Sequence, residues 1–245
     1  MVIENNRSRS FLDSLVDLMK SNRIMPTIFC LIKFGKREHL EKLQRMGQMR
    51  FTSLESFRQT KEQQRGDELE GALEIVNGGF TEVNCEHPTL GTFNFKIDEQ
   101  SETRFLKTDA SPYCIFSCYA LTYEMLNTAD IYKIDERMAE FGDHALVIKN
   151  PRQFIDRVHE QLIIQNKSWK TNLTQYRDLT SAGNFRADLF TKSDKYIHQN
   201  EFRFLFESDN NSPQFIELGS IKDISEIHSS RNIISNAFKR VTKHG

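Results

Sequence analysis

The chain has 245 residues, of which 38% are hydrophobic and 27% charged, a globular balance with enough length to bury a sizeable core. Lys and Arg number 33 against 34 Asp and Glu, and the resulting net charge of -1 excludes a global field that would draw the protein to nucleic acid or acidic membranes. The first ten residues are polar and no apolar run approaches the roughly 18 residues of a membrane span, so the expected location is cytoplasmic.

Cys30, Cys85, Cys114 and Cys118 lack paired ligand spacing and read as reduced core residues. The 19 Phe point to a core built from rings more than from branched aliphatics. Arg45, Arg50, Arg58 and Arg65, and the tail residues Lys239, Arg240 and Lys243, read as solvated faces before they read as a basic groove.

In chain order, Ser10 and Asp13 resemble a capping box, and Phe11, Leu15, Leu18 and Met19 repeat at helical spacing, which predicts an opening helix over residues 11–20. Thr27 to Phe34 is a nearly continuous apolar run broken only by Lys33, hence a central strand. Leu40, Leu43 and Met46 share a helical face over residues 37–46, and Gly47 stands where a helix end favours a left-handed residue. Gln48 to Leu54 returns as a strand that can lie beside the first.

Asn77-Gly78-Gly79 between two β-rich runs predicts a hairpin over Leu73 to Val83. Residues 98–103 form a polar loop, and Tyr113 to Leu121 is a buried strand whose aliphatic hydroxyl is Ser117. Ala145 to Lys149 is a short strand, and Asn150 and Pro151 supply the cap and first-turn proline of a helix reaching about Asn166. Lys195 to Glu207 and Gln214 to Leu218 are further strands, and Ile233, Ile234, Ala237, Phe238 and Val241 mark a closing helix over residues 230–243. The expectation is one α+β domain over residues 1–245: a core over residues 27–225 with a strand-rich mixed, split sheet, and helices at its margins.

The stretch His198 to Glu207 of the strand from Lys195 carries the most chemistry. With a period of two, Phe202, Phe204 and Phe206 share a core face, and Glu201, Arg203 and Leu205 share the other, which looks into solvent, a neighbouring sheet or a cleft. Glu201 is either half of a modest ion pair or a carboxylate in a cleft, with Gln199 two residues earlier on the same face. A Gln-x-Glu in a cleft offers an amide to orient a nucleophile and a carboxylate to hold a ribose hydroxyl, the division of labour that glycosyl transfer requires. The polar stretch Gln63 to Gly71 is either a solvated connection or a substrate-contacting lid. The seven His are scattered, with no His-Glu-x-x-His, paired Cys, Gly-x-Ser-x-Gly or Gly-Lys-Ser/Thr signature, so no metal is expected and nucleoside triphosphate hydrolysis is disfavoured.

Three segments together carry a resemblance: a strand entering a helix and Gly (Lys33 to Gly47), a middle strand with a hydroxyl (Phe116-Ser117-Cys118-Tyr119), and Gln199-Asn200-Glu201. Over about residues 27–225 their order resembles the ADP-ribosyltransferase toxin fold. The segments Phe51-Thr52-Ser53-Leu54-x-x-Phe57 and Glu201-x-Arg203 are also similar to a bacterial and phage family of uncharacterised domains linked to phage defence.

The resemblance implies NAD as donor substrate, bound between two small sheets, with Glu201 and Gln199 as catalytic residues. Lys33, Phe51, Thr52, Ser53, Ser117 and Tyr119 would hold the donor, and Arg65, Asp67, Glu68 and Arg203 would contact substrate. The family places Arg or His where this chain has Lys33, a point charge without the bidentate fork. A toxin or antiviral effector of this kind acts on a macromolecule, whether RNA, DNA or protein, and requires restraint by a neutralising antitoxin. The rivals are a nucleotide- or peptide-binding module without chemistry, in which Glu201 and Arg203 simply pair, and a structural phage component.

Overall fold

The computed structural model describes residues 28–60, 66–78, 82–87, 89, 91–96, 104–108, 113–128, 131–208 and 210–238. The expected helix over 11–20, the loop 98–103 and Arg65 lie outside these residues.

The first half runs β1 (Ile28–Gly35), α1 (Arg37–Met46), β2 (Gln48–Ser53), α2 (Leu54–Gln59), β3 (Ala72–Asn77), β4 (Glu82–His87), β5 (Gly91–Lys96), β6 (Arg104–Thr108), β7 (Tyr113–Thr122) and α3 (Tyr123–Thr128). A 3₁₀ turn (Glu136–Phe141) leads to β8 (His144–Ile148), α4 (Pro151–Ile164), β9 (Trp169–Leu173), β10 (Gln175–Arg177), β11 (Gly183–Arg186) and β12 (Thr191–Ser193). A second 3₁₀ turn (Asp194–Gln199), β13 (Glu201–Glu207), β14 (Gln214–Glu217), β15 (Ser225–Ser229) and α5 (Ser230–Ser235) complete it. The architecture is α+β, dominated by an eight-stranded sheet whose registered pairs are antiparallel, with smaller sheets beside it and a parallel β10–β12 pair.

β7 organises the main sheet. Tyr119 pairs with Glu201 of β13 on one edge and with Ile32 of β1 on the other, while Ile115 pairs with Leu205 of β13 and with Thr52 of β2. One edge of β7 therefore carries β13, and the other is shared by β1 and β2 at different ends, which makes the sheet split. β1 and β2 do not take up the side-by-side pairing that the sequence allowed; ten residues of β7 give each a separate berth. Between the two berths the Ser117 carbonyl accepts a 2.6 Å hydrogen bond from Lys33 Nζ, which satisfies a backbone group that the split leaves without a strand partner there. Lys33 also stands 4.4 Å from the Phe116 ring centroid.

Local signals explain most boundaries. Gly47 ends α1 at φ 65°, its N–H returning to the Leu43 carbonyl, and a Cβ there would run into the Gly219 carbonyl beside β14. Asn150 caps α4 by accepting from the Gln153 N–H, with Pro151 at the first position. The Asn77-Gly78 signal does not make a β3–β4 hairpin. β3 is paired on both edges, to β6 and to β11, and β4 pairs with β5, so long-range partners override the local turn. The closing helix stops at Ser235, because Asn236 turns extended and Phe238 bridges to Tyr132; the expected helical residues 239–243 lie outside the described residues.

Two apolar layers result. Phe202, Phe204 and Phe206 pack with Phe51, Phe116, Trp169 and Phe154 and Val158 of α4, as their alternation requires. On the opposite face Tyr119, Ile32, Phe34, Met138 and Ile233 form one cluster, and Ile115, Leu205, Leu54, Tyr113 and Leu189 another. Cys30, Cys114 and Cys118 are buried thiols, and no helix among the described residues is long and apolar enough to cross a membrane.

His159 of α4 lies inside the first layer, stacked on Trp169 at 3.9 Å, with no hydrogen-bond partner on either ring nitrogen. Burial pushes its pKa down to about 3. The unfolded chain therefore binds a proton between about pH 6.5 and that value which the fold refuses, so stability is complete above the window and falls as pH drops through it. Denaturant unfolding across this range should show a slope of up to about 1.4 kcal/mol per pH unit that His159→Phe removes.

Candidate functional site

Alternation along β13 sends Glu201, Arg203 and Leu205 to the second face, but that face is covered. All three are buried, and Arg203 is fully enclosed. The cover comes from the Gly66–Gly71 segment and from residues 188–199, and it brings Glu70 and Lys192 against β13.

Arg203 is saturated by internal acceptors. Its Nη1 and Nη2 donate to Glu70 Oε1 and Oε2 at 2.7 and 3.0 Å, a bidentate fork, while Nε donates to Glu201 Oε2 at 2.7 Å and Nη1 also to the Leu189 carbonyl at 2.9 Å. Lys192 Nζ donates to Glu201 Oε1 and to Gln199 Oε1, each at 2.8 Å, lies 3.7 Å from Glu70 Oε2, and sits over the Tyr196 ring. Ser117 Oγ reaches across from β7 to Glu201 Oε2 at 3.1 Å, and the Glu201 N–H donates to the Tyr176 hydroxyl at 2.9 Å. Two acids face two bases in a seam between two apolar clusters.

The electrostatics follow. Burial opposes ionisation of Glu201, yet the adjoining Arg203 and Lys192 charges outweigh it and hold the carboxyl well below the usual range. Burial likewise opposes the Arg203 charge, and Glu201 and Glu70 hold it protonated. Burial and the Glu201 charge push the Tyr176 phenol up, so the hydroxyl stays neutral.

The cover is itself anchored. Tyr196 donates to the Gly66 carbonyl at 2.5 Å, Arg58 Nη1 donates to the Glu70 carbonyl at 2.9 Å, and the Asp67 N–H donates to the Phe57 carbonyl at 3.2 Å. Asp67, Leu69 and Glu70 are buried and Glu68 is exposed, so the described part of this stretch is a packed wall and not a solvated connection.

The structure thus gathers Glu201, Gln199, Ser117 and Arg203 at one place. Gln199 arrives by another route than the one expected: it ends the 3₁₀ turn, Asn200 adopts φ 35°, and only then does β13 begin. The extended strand expected from Lys195 is cut short by this turn, whose Asn200 side chain donates to the Ala120 carbonyl at the end of β7. Phe51 is enclosed between Phe116 and Phe206 in the first layer, and Ser53 is buried as the cap of α2, accepting from the Ser56 N–H. Thr52 is half-buried at the β2–β7 pairing, and the Tyr119 hydroxyl is bonded to that of Tyr132 at 2.6 Å. Lys33 belongs to the split of the sheet and stands on the Phe116 side.

Sequence reasoning missed Glu70 and Lys192. The signal was Leu205, since an apolar residue in line with Glu201 and Arg203 marks a buried face, and buried charges require partners. Among the described residues no group of His, Cys, Asp or Glu is assembled to hold a metal ion. Comparison with known protein families, curated proteins and solved structures found no match.

Removing one member of such a pair strands its enclosed partner. Glu70→Ala is expected to cost about 3–5 kcal/mol in urea unfolding, and combining Glu70→Leu with Arg203→Met should recover most of that loss, because an apolar pair leaves no buried charge unmatched.

Proposed function

We propose that the chain is an ADP-ribosyltransferase-like toxin or defence effector that transfers ADP-ribose from NAD to a macromolecular acceptor, with Glu201 as the carboxylate that stabilises positive charge on the ribose as nicotinamide departs. The observation that carries this reading is the Ser117–Glu201 hydrogen bond across β7 and β13, beside the split in the sheet. A carboxylate in this role must be ionised when the donor arrives, and Arg203 and Lys192 keep Glu201 so. Gln199 is tethered to the same ammonium, 2.8 Å from its side-chain oxygen. With Phe51 and Tyr119 enclosed, donor contact falls to Ser117 and Glu201. The acceptor is a protein or a nucleic acid, and restraint of the toxin falls to a neutralising partner.

A specific observation favours a second reading. The Glu201 side chain is 11% exposed and both its oxygens are taken by internal cations, which suits a non-catalytic binding module in which the seam is purely structural.

Purified parent, Glu201→Gln and Ser117→Ala are compared for nicotinamide release and for transfer from labelled NAD into cell extract. The enzyme reading expects activity in the parent, a loss of about a hundredfold or more in Glu201→Gln, and a smaller loss in Ser117→Ala at a stability cost of about 1 kcal/mol. Silence from all three, with lowered unfolding midpoints in the variants, sinks it in favour of the module.

A further inference from the structure

A fifth ionisable group borders the seam. Asp67 is buried at 2% exposure, and its Oδ1 accepts the Leu69 N–H at 3.0 Å, while Oδ2 is enclosed without a hydrogen-bond partner. An ionised carboxylate buried with one oxygen bare is among the costliest arrangements in a protein; a neutral acid is much cheaper.

The cations that favour its ionised form are Lys192, already committed, and Lys195, which stands in solvent. On its own segment stand Glu70, which raises the cost of a second negative charge, and exposed Glu68. From the packed 188–199 stretch come Lys192, engaged with Glu201 and Gln199, exposed Lys195, and the Tyr196 phenol. From α2 comes Arg58, engaged with the Glu55 carboxylate and the Glu70 carbonyl. Glu70 and Glu201 already balance Arg203 and Lys192.

We propose that the fold holds Asp67 as a neutral carboxylic acid, and that this neutrality lets the Gly66–Gly71 segment stay closed over the Glu70–Arg203–Glu201 seam, so that deprotonation, by burying an uncompensated charge, loosens the segment and uncovers the seam. The local geometry couples the two. Asp67 and Glu70 are joined by the Glu70 N–H to the Asp67 carbonyl at 3.0 Å, so a displacement of one draws on the other. Burial and then the Glu70 charge raise the Asp67 carboxyl above its ordinary value, outweighing the opposing pull of Lys192, the Leu69 N–H and Lys195. In the unfolded chain an aspartate ionises near pH ~4, so the stability that this proton contributes is intact below that point and is lost as pH rises through the folded value. The device operates whether or not the seam is catalytic.

The test is amide hydrogen exchange of Asp67, Leu69 and Glu70 from about pH 5 to about pH 8, corrected for intrinsic rates, in the parent and in Asp67→Asn, which keeps the Leu69 acceptor without a charge. The parent should lose protection with rising pH by up to about tenfold per pH unit, and the variant should be flat and better protected at the alkaline end. Equal slopes in the two proteins overturn the proposal. A second measurement needs only the parent: with carbon-13 in its aspartate side chains, infrared spectra at neutral pH should contain the carbonyl stretch of a protonated acid that disappears on alkalinisation, and absence of that band at neutral pH overturns it equally.

Discussion

The enclosed guanidinium of Arg203 is the constraint around which this fold is arranged. A full positive charge deep in a protein is tolerated only where geometry compensates the loss of water, and here the compensation is assembled from separate parts of the chain. Glu70 supplies the two-pronged partner, Glu201 the third acceptor and Leu189 a carbonyl. Each of these segments must be in place for any of them to be satisfied, so the small sheet with β3, the 188–199 stretch and the main sheet are tied to one point.

That arrangement also fixes register. A slip of β13 by one residue against β7 would carry Arg203 into the phenylalanine layer and a phenyl ring into the polar seam, both heavily penalised. Apolar burial alone would discriminate less, since Leu205 and the phenylalanines are all hydrophobic. The polar seam lies between Tyr119 and Ile115, each backed by its own apolar cluster, and acts as an alignment key for the central pair of strands.

Elements whose causes are local were legible in the sequence: β1 as an apolar run, α1 with its Gly47 terminus, α4 with Asn150 and Pro151, and β7. The alternation of β13 was legible too, including which residues share a face. What covers that face was not, because Glu70 lies 133 residues from Arg203 and no spacing rule links them. The same limit explains the β3 result: a strong Asn-Gly turn signal describes four residues, whereas β6 and β11 satisfy both edges of the strand from afar. Short strands such as β10, β11 and β12 have three or four residues, too few for a period to register. Among the expected site residues, Ser117 and Glu201 meet because β7 and β13 pair, while Phe51 went to the core, its ring being the better filler there.

The separation between β7 and β13 has a bearing on biogenesis. Ser117 precedes its partner Glu201 by 84 residues, so during synthesis the apolar middle strand leaves the ribosome well before the segment that flanks it exists. Until then one whole edge of β7, with its Tyr-Cys-Ile-Phe sequence, is available to any other extended chain. Such a delay is a period of exposure to wrong pairing that the stability of the finished molecule does nothing to shorten.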